Sequence, residues 1–215
     1  MDVSTSALRD TLASIRNLLN PILGDSIIIF DNEPDRRYIG RMSSMSAPSV
    51  KGFNGVTFSV ELQCLSYTQD LDETNTAADT WTGASPNTST FTGIAGTVSR
   101  IPVEVYVRNE TGQNLTGAAI TVANDTTSET ITWTGTINDD YWLRFGTIDS
   151  NGRFQATISR STSSGADPEA ESYVSVESGF TSGDWIRLLG GSTNSITITG
   201  LSAGRTELTY RGKYL

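Results

Sequence analysis

A chain of 215 residues is long enough for one sizeable domain or two modest ones with a true core. It is acidic and sparsely charged, with 24 carboxylates against 15 basic residues for a net charge of −9, which excludes nucleic-acid binding as its main task. There is no histidine and a single cysteine, Cys64, so Ser-His-Asp chemistry, the commonest metal ligand and any disulfide framework are excluded together.

The other abundances point to β structure. Thr occurs 30 times, Ser 26 and Gly 20, which favours strands separated by many turns. Only Lys51 and Lys213 are lysines, and a high acid-to-lysine ratio suits a protein adapted to high salt. No segment is apolar enough for a membrane span, and the first residues lack a secretion signal, so synthesis in the cytoplasm is expected.

In chain order, residues 7–20 carry a helical pattern. Leu8, Leu12, Ile15 and Leu19 share one face, Ser4 and Ser6 offer caps, and Pro21 ends it. Ser26–Phe30 reads as a buried strand, Asp31–Arg37 as its turn and Tyr38–Met42 as the returning strand. Val56–Leu65 alternates cleanly and places Cys64 among its apolar set as a buried thiol. Residues 1–68 thus form an expected small α+β domain. Residues 69–94 are polar and isolate Trp81 and Phe91, as in a linker or contact arm.

From residue 95 to 206 the chain is a run of short strands. The predicted strands are Val103–Val107, Ala119–Val122, Thr130–Trp133, Tyr141–Phe145, Phe154–Ile158, Tyr173–Val176, Trp185–Leu189 and Ser195–Thr199. Glu207–Tyr210 follows, with 207–215 expected to pack back on the first domain. Turn signals such as Asn151-Gly152 separate them, and the spacing implies a β-sandwich.

Catalytic chemistry finds little support. Asp139 and Asp140 are adjacent and diverge on an extended chain, a poor pair for glycoside hydrolysis. Asp31, Glu33 and Asp35 could gather a hard cation, but they serve better as turn formers and partners for Arg36 and Arg37. No metal, cofactor or catalytic residue is assigned. Alternation puts Tyr141, Leu143 and Phe145 on one face of their strand, and Trp142 and Arg144 on the other. Trp142, Arg144 and Trp185 are the candidate contacts to a glycan or protein partner. Four Asn-x-Ser/Thr sequons occur, at Asn87, Asn109, Asn114 and Asn124.

The segment Phe30-Asp31-Asn32-Glu33-Pro34-Asp35-Arg36-Arg37-Tyr38-Ile39-Gly40-Arg41 resembles the corresponding stretch of the distal tail proteins (Dit) of long-tailed, siphovirus-like viruses. The order of elements also resembles that family: a helix, Ile28-Ile29-Phe30, Asp31–Tyr38, Gly40-Arg41, Val56–Tyr67, a second β domain, and a closing Tyr210-Arg211-Gly212-Lys213-Tyr214-Leu215.

The resemblance implies a mainly β fold: an α+β ring-forming domain followed by a galectin-like or carbohydrate-module-like β-sandwich. It implies a structural virion protein, not an enzyme, that forms a homohexameric ring at the distal end of the tail tube. The ring would join the tube protein to the tail-tip hub of the baseplate, with the sandwiches outward to meet fibres or host surface glycans, and with no nucleic-acid binding or membrane insertion. With the acidic composition, it points to a virus of a halophilic archaeon. For intersubunit contact it singles out Arg36, Arg37, Tyr38, Arg41 and Glu61. Family members generally carry strands before the helix, so a neighbouring protein or a reduced ring is expected to replace them here. A glycan-binding or receptor-binding baseplate accessory protein and a tail tube protein are the alternatives.

Overall fold

The computed structural model describes residues 10, 13–14, 26–46, 49–50, 56–65, 68–70, 75–83, 85–149 and 152–214. It divides into two compact units, Met1–Leu71 and Asp72–Leu215. Asp10, Ala13 and Ser14 are helical, and the Ser14 hydroxyl donates to the Asp10 carbonyl at 2.9 Å. The rest of the helix expected over 7–20 lies outside the described residues.

The first unit contains β1 (Ser26–Phe30), β2 (Glu33–Met45), β3 (Ser49–Val50), β4 (Val56–Thr57), β5 (Val60–Cys64) and β6 (Thr68–Asp70). β2 organises it. β1 lies along one edge, pairing from Ser26↔Gly40 to Phe30↔Glu33, while β6 and β5 share the other edge at Arg36–Arg37 and Gly40–Met45. The turn is therefore shorter than the sequence implied. Only Asp31 and Asn32 turn, and Glu33–Arg37 already belong to β2. β2 also runs beyond Gly40-Arg41 to Met45, and the stretch read as one strand over Val56–Leu65 splits into β4 and β5. β5 keeps its alternation, but Cys64 is half-buried rather than a core thiol.

Gly40 has a steric role at this junction. A Cβ there would lie 2.7 Å from the Gln63 carbonyl oxygen and 2.8 Å from Cys64 Sγ, so β5 can approach β2 this closely only opposite glycine. Gly40→Ala should destabilise the unit by about 1–3 kcal/mol. Faster amide exchange in β2 and β5, with the second unit unchanged, is the measurement that checks it.

The second unit contains β7 (Asn75–Thr82), β8 (Asn87–Phe91), β9 (Ile101–Asn109), β10 (Leu115–Asn124), β11 (Glu129–Ile137), β12 (Trp142–Ile148) and β13 (Phe154–Ser161). It continues with β14 (Tyr173–Ser175), β15 (Phe180–Gly183), β16 (Arg187–Leu188), β17 (Asn194–Thr199), β18 (Ala203–Tyr210) and β19 (Lys213–Tyr214). Two antiparallel sheets face each other. One runs β15-β11-β10-β17-β8; the other runs β14-β13-β12-β9-β18-β7, with β16 also on β9. Between them lies one core that includes Trp81, Phe91, Val103, Val105, Ile120, Ile131, Trp133, Leu143, Phe145, Ile196 and Leu208.

Each strand predicted in this region is found. The stretch expected as a linker is not one: 75–82 and 87–91 are the edge strands β7 and β8, anchored by buried Trp81 and Phe91. An edge strand with one solvated face needs few apolar residues, which is why the sequence there reads as a tether. The expected return of 207–215 to the first unit is also corrected for its first part. Residues 207–210 are the end of β18, held between β7 and β9 inside the sandwich. Lys213 bridges to Gly96, and its carbonyl accepts from Thr97 N–H at 2.8 Å.

Buried asparagines tie the loops to the sheets. Asn124 donates to the Arg187 carbonyl at 2.6 Å and to Asn194 Oδ1 at 3.1 Å, and Asn194 exchanges bonds with the backbone of Leu189. Asn109 donates to the carbonyls of Gln113 and Asn138 and accepts from Thr111. All three asparagines have no solvent exposure.

Candidate functional site

Of the residues proposed for subunit contact, Arg36, Arg37, Tyr38 and Arg41 lie on both faces of β2, and Glu61 lies on β5. Arg37 is 2% exposed, and its guanidinium donates to Gln69 Oε1 on β6 at 3.0 Å. Tyr38 is half-buried. Its hydroxyl donates to Glu33 Oε2 at 2.5 Å, a bond that raises the phenol above its ordinary range, and its ring meets Phe30 edge-on at 5.1 Å. Arg36 is half-buried, and Arg41 is exposed. Glu61 is exposed and accepts from the Ser44 hydroxyl at 2.8 Å.

Sequence reasoning missed the apolar side of this surface. Ile27, Ile29 and Phe30 on β1 are 41%, 45% and 41% exposed, and Leu65 is 44% exposed. Among the described residues β1 ends its sheet, so exposed apolar side chains coincide with a strand edge. The run Ile27-Ile28-Ile29-Phe30 carried that signal. A strand apolar at consecutive positions is apolar on both faces.

The sandwich holds a different arrangement. On the outer face of its larger sheet, strand register lines up Trp142, Arg108 and Arg205 in one row and Ser159, Arg144, Tyr106 and Glu207 in the next. The sequence put Trp142 and Arg144 on an outward face, and that face is covered. Trp142 has no exposure, and its indole N–H donates to the Gly165 carbonyl at 2.9 Å. Arg108 and Arg205 lie 5.7 and 5.9 Å from its ring centroid, with Tyr106 edge-on at 6.5 Å. Arg144 lies 4.3 Å from the Tyr173 ring centroid and donates to Ser159 Oγ. The segment 162–171 forms the cover. It is tied down by the Trp142 bond, by Tyr173 donating to the Pro168 carbonyl at 2.9 Å, and by Thr209 donating to Glu169 Oε1 at 3.0 Å. Trp142 thus offers no ring face to a ligand.

Trp185 lies elsewhere, half-buried and edge-on to Phe154 at 5.8 Å. Its other neighbours are Ala156, Ile158, Glu177 and Phe180 around a groove. The structure does not bring the Trp142, Arg144 and Trp185 trio into one cleft. Among the described residues no cluster of three or more carboxylate or cysteine side chains could hold a metal ion.

The covered layer has a titration signature. Glu104 accepts from the Tyr106 hydroxyl at 2.5 Å and from Ile148 N–H. Burial nevertheless raises its pKa, only partly offset by those bonds and by Arg144, while Glu169 adds to the rise. Burial also pushes the Tyr106 and Tyr173 phenols well above their usual range, and raises Glu207 despite Arg205 beside it. A carboxyl group whose folded pKa is raised contributes stability that is complete below its unfolded pKa and lost as pH rises through the folded one. Glu104→Gln removes that loss. The variant should therefore gain stability over the parent as pH rises from below about 4.5 toward neutrality. Urea unfolding of both proteins across that range checks this, and a pH-independent difference contradicts it.

No protein-family model matches the sequence, and no curated protein matches it significantly. A solved structure does share its fold. The crystal structure of the Dit protein (gp 19.1) of SPP1 superposes with a TM-score of 0.61 at 16% sequence identity, covering 100% of this chain and 75% of that one. That protein is described as a paradigm of the hub adsorption apparatus in phages infecting Gram-positive bacteria. The mainly β, two-unit chain therefore has a fold like that of a phage distal tail protein.

Proposed function

We propose that this chain is a structural, non-catalytic virion protein of the distal tail type. Six copies close into a ring at the distal end of the tail tube, between the tube protein and the tail-tip hub, with the sandwiches directed outward. The observation that carries the reading is the likeness of the entire chain to SPP1 Dit. The segment Phe30–Arg41, on which the family resemblance rests, coincides with the hairpin that organises the first unit. A second copy adding to β1 would cover Ile27, Ile29 and Phe30 and complete the sheet edge. Closed symmetry then satisfies every copy alike. Arg41, exposed on β2 one residue beyond the stretch that β1 lines, is the arginine proposed for the rim of that contact.

The purified protein should run as a species six times the 23.1 kDa of one chain and give six-fold rings in class-averaged micrographs. Ile29→Lys should shift that species to monomers while the sandwich melts as before, because a buried lysine at a subunit contact costs several kcal/mol. Indefinite tubes would identify a tail tube protein instead. A monomeric parent protein at high concentration, absent from the tail tip of the particle, would end the proposal.

A further inference from the structure

The flank of the sandwich between β13 and β15 leaves part of β13 without a neighbouring strand among the described residues. β13 pairs with β12 from Phe154 to Arg160 on one side, yet β14 lines only Ser159–Ser161 on the other. After Val176 the chain leaves this sheet, crosses through the 3-10 turn Glu177–Gly179, and joins the opposite sheet as its terminal strand β15. Among the described residues no strand lies beside Phe154–Thr157 on that side. The crossing leaves a groove of about 310 Å³ lined by Ala156, Ile158, Glu177, Phe180 and Trp185.

Its chemistry is aromatic and acidic. Phe180 is 45% exposed, Trp185 is half-buried, and Glu177 and the neighbouring Asp184 are exposed carboxylates. None of the lining residues is basic. We propose that this groove receives an arginine or lysine side chain from an extended segment of a partner protein, and that the segment adds to the open edge of β13.

Each part of the groove has a role in that occupancy. An added strand points alternate side chains between the two sheets, toward Ala156 and Ile158. Apolar walls take the methylenes of a basic side chain, and an aromatic face attracts its charged head. Glu177 supplies the charge-assisted hydrogen bond. The chain's net charge of −9 favours encounter with a basic segment. A sugar fits less well. A pyranose ring buries several hydroxyls, and the Glu177 carboxylate and the Trp185 indole N–H are the two polar side-chain groups in the lining to replace their water. The inference rests on the sandwich alone and holds whether or not the chain forms a ring.

The test titrates acetyl-Thr-Val-Arg-Val-Thr-amide, and the same peptide with citrulline in place of arginine, into the full chain. Calorimetry and tryptophan emission give the affinities. The arginine peptide should bind saturably, and the neutral one about tenfold more weakly, the loss of one charge-assisted bond. Glu177→Gln should erase that difference, and Phe180→Ser should weaken both peptides. Both positions are exposed, so circular dichroism should match the parent. Absence of saturable binding, equal affinity for the two peptides, or unchanged binding by Glu177→Gln overturns the proposal. So does displacement of the arginine peptide by methyl glucoside without any effect of Glu177→Gln.

Discussion

The burial of β9 on both of its faces is the constraint from which most of the sandwich follows. Val103, Val105 and Val107 point into the core, while Glu104 and Tyr106, pointing the other way, are also buried. A strand shielded on both sides cannot leave charge to water, so each polar group of its outer face must find a partner within the protein. Arg108 reaches Glu110 at 2.9 Å and the Asp140 carbonyl, and Glu104 takes two donors. Segment 162–171 completes the shield with a tryptophan, a tyrosine and a threonine bonded to it. This layer is dry and ionic at once, which fixes the register of β9, β12 and β18 more tightly than apolar packing would.

The two units use their strands differently. In the sandwich, large apolar side chains of both sheets meet across a single core, with Trp133 and Trp142 each fully covered and each donating its indole N–H to a backbone carbonyl. In the first unit, one thirteen-residue strand carries partners on both edges, yet three of the five residues of β1 remain exposed and apolar. Among its described residues Ile39 is the one large apolar side chain that is fully buried. Hydrophobic burial scales with area removed from water, so such a unit gains stability from whatever covers β1.

Much of this was legible from residue patterns. The second unit's strands from Val103 onward announce themselves by alternation and by turn residues, because each buries one regular face. The polar stretch around Trp81 and Phe91 hid two edge strands, since its few anchors are widely spaced and its Ala, Asn and Asp carry weak strand propensity. Alternation also assigned Trp142 and Arg144 correctly to a common face. It could not reveal that this face is roofed, because the roof is an irregular segment distant in sequence. For the same reason nothing in the sequence marked Arg37 as buried. Its partner, Gln69, lies on a three-residue strand with no periodicity to read.

The buried asparagines bear on the order of events in the chain's life. Asn109 and Asn124 each begin a glycosylation sequon, but in the folded chain both are sealed from solvent and their amide nitrogens are engaged with backbone carbonyls. Asn114, by contrast, lies on the surface. An oligosaccharyltransferase arriving late would therefore meet Asn114 exposed and Asn87 half-buried, whereas one that reached Asn124 early would bar the loop at Arg187 from docking. The pattern of attached sugar would thus act as a clock, recording whether the enzyme or the fold came first.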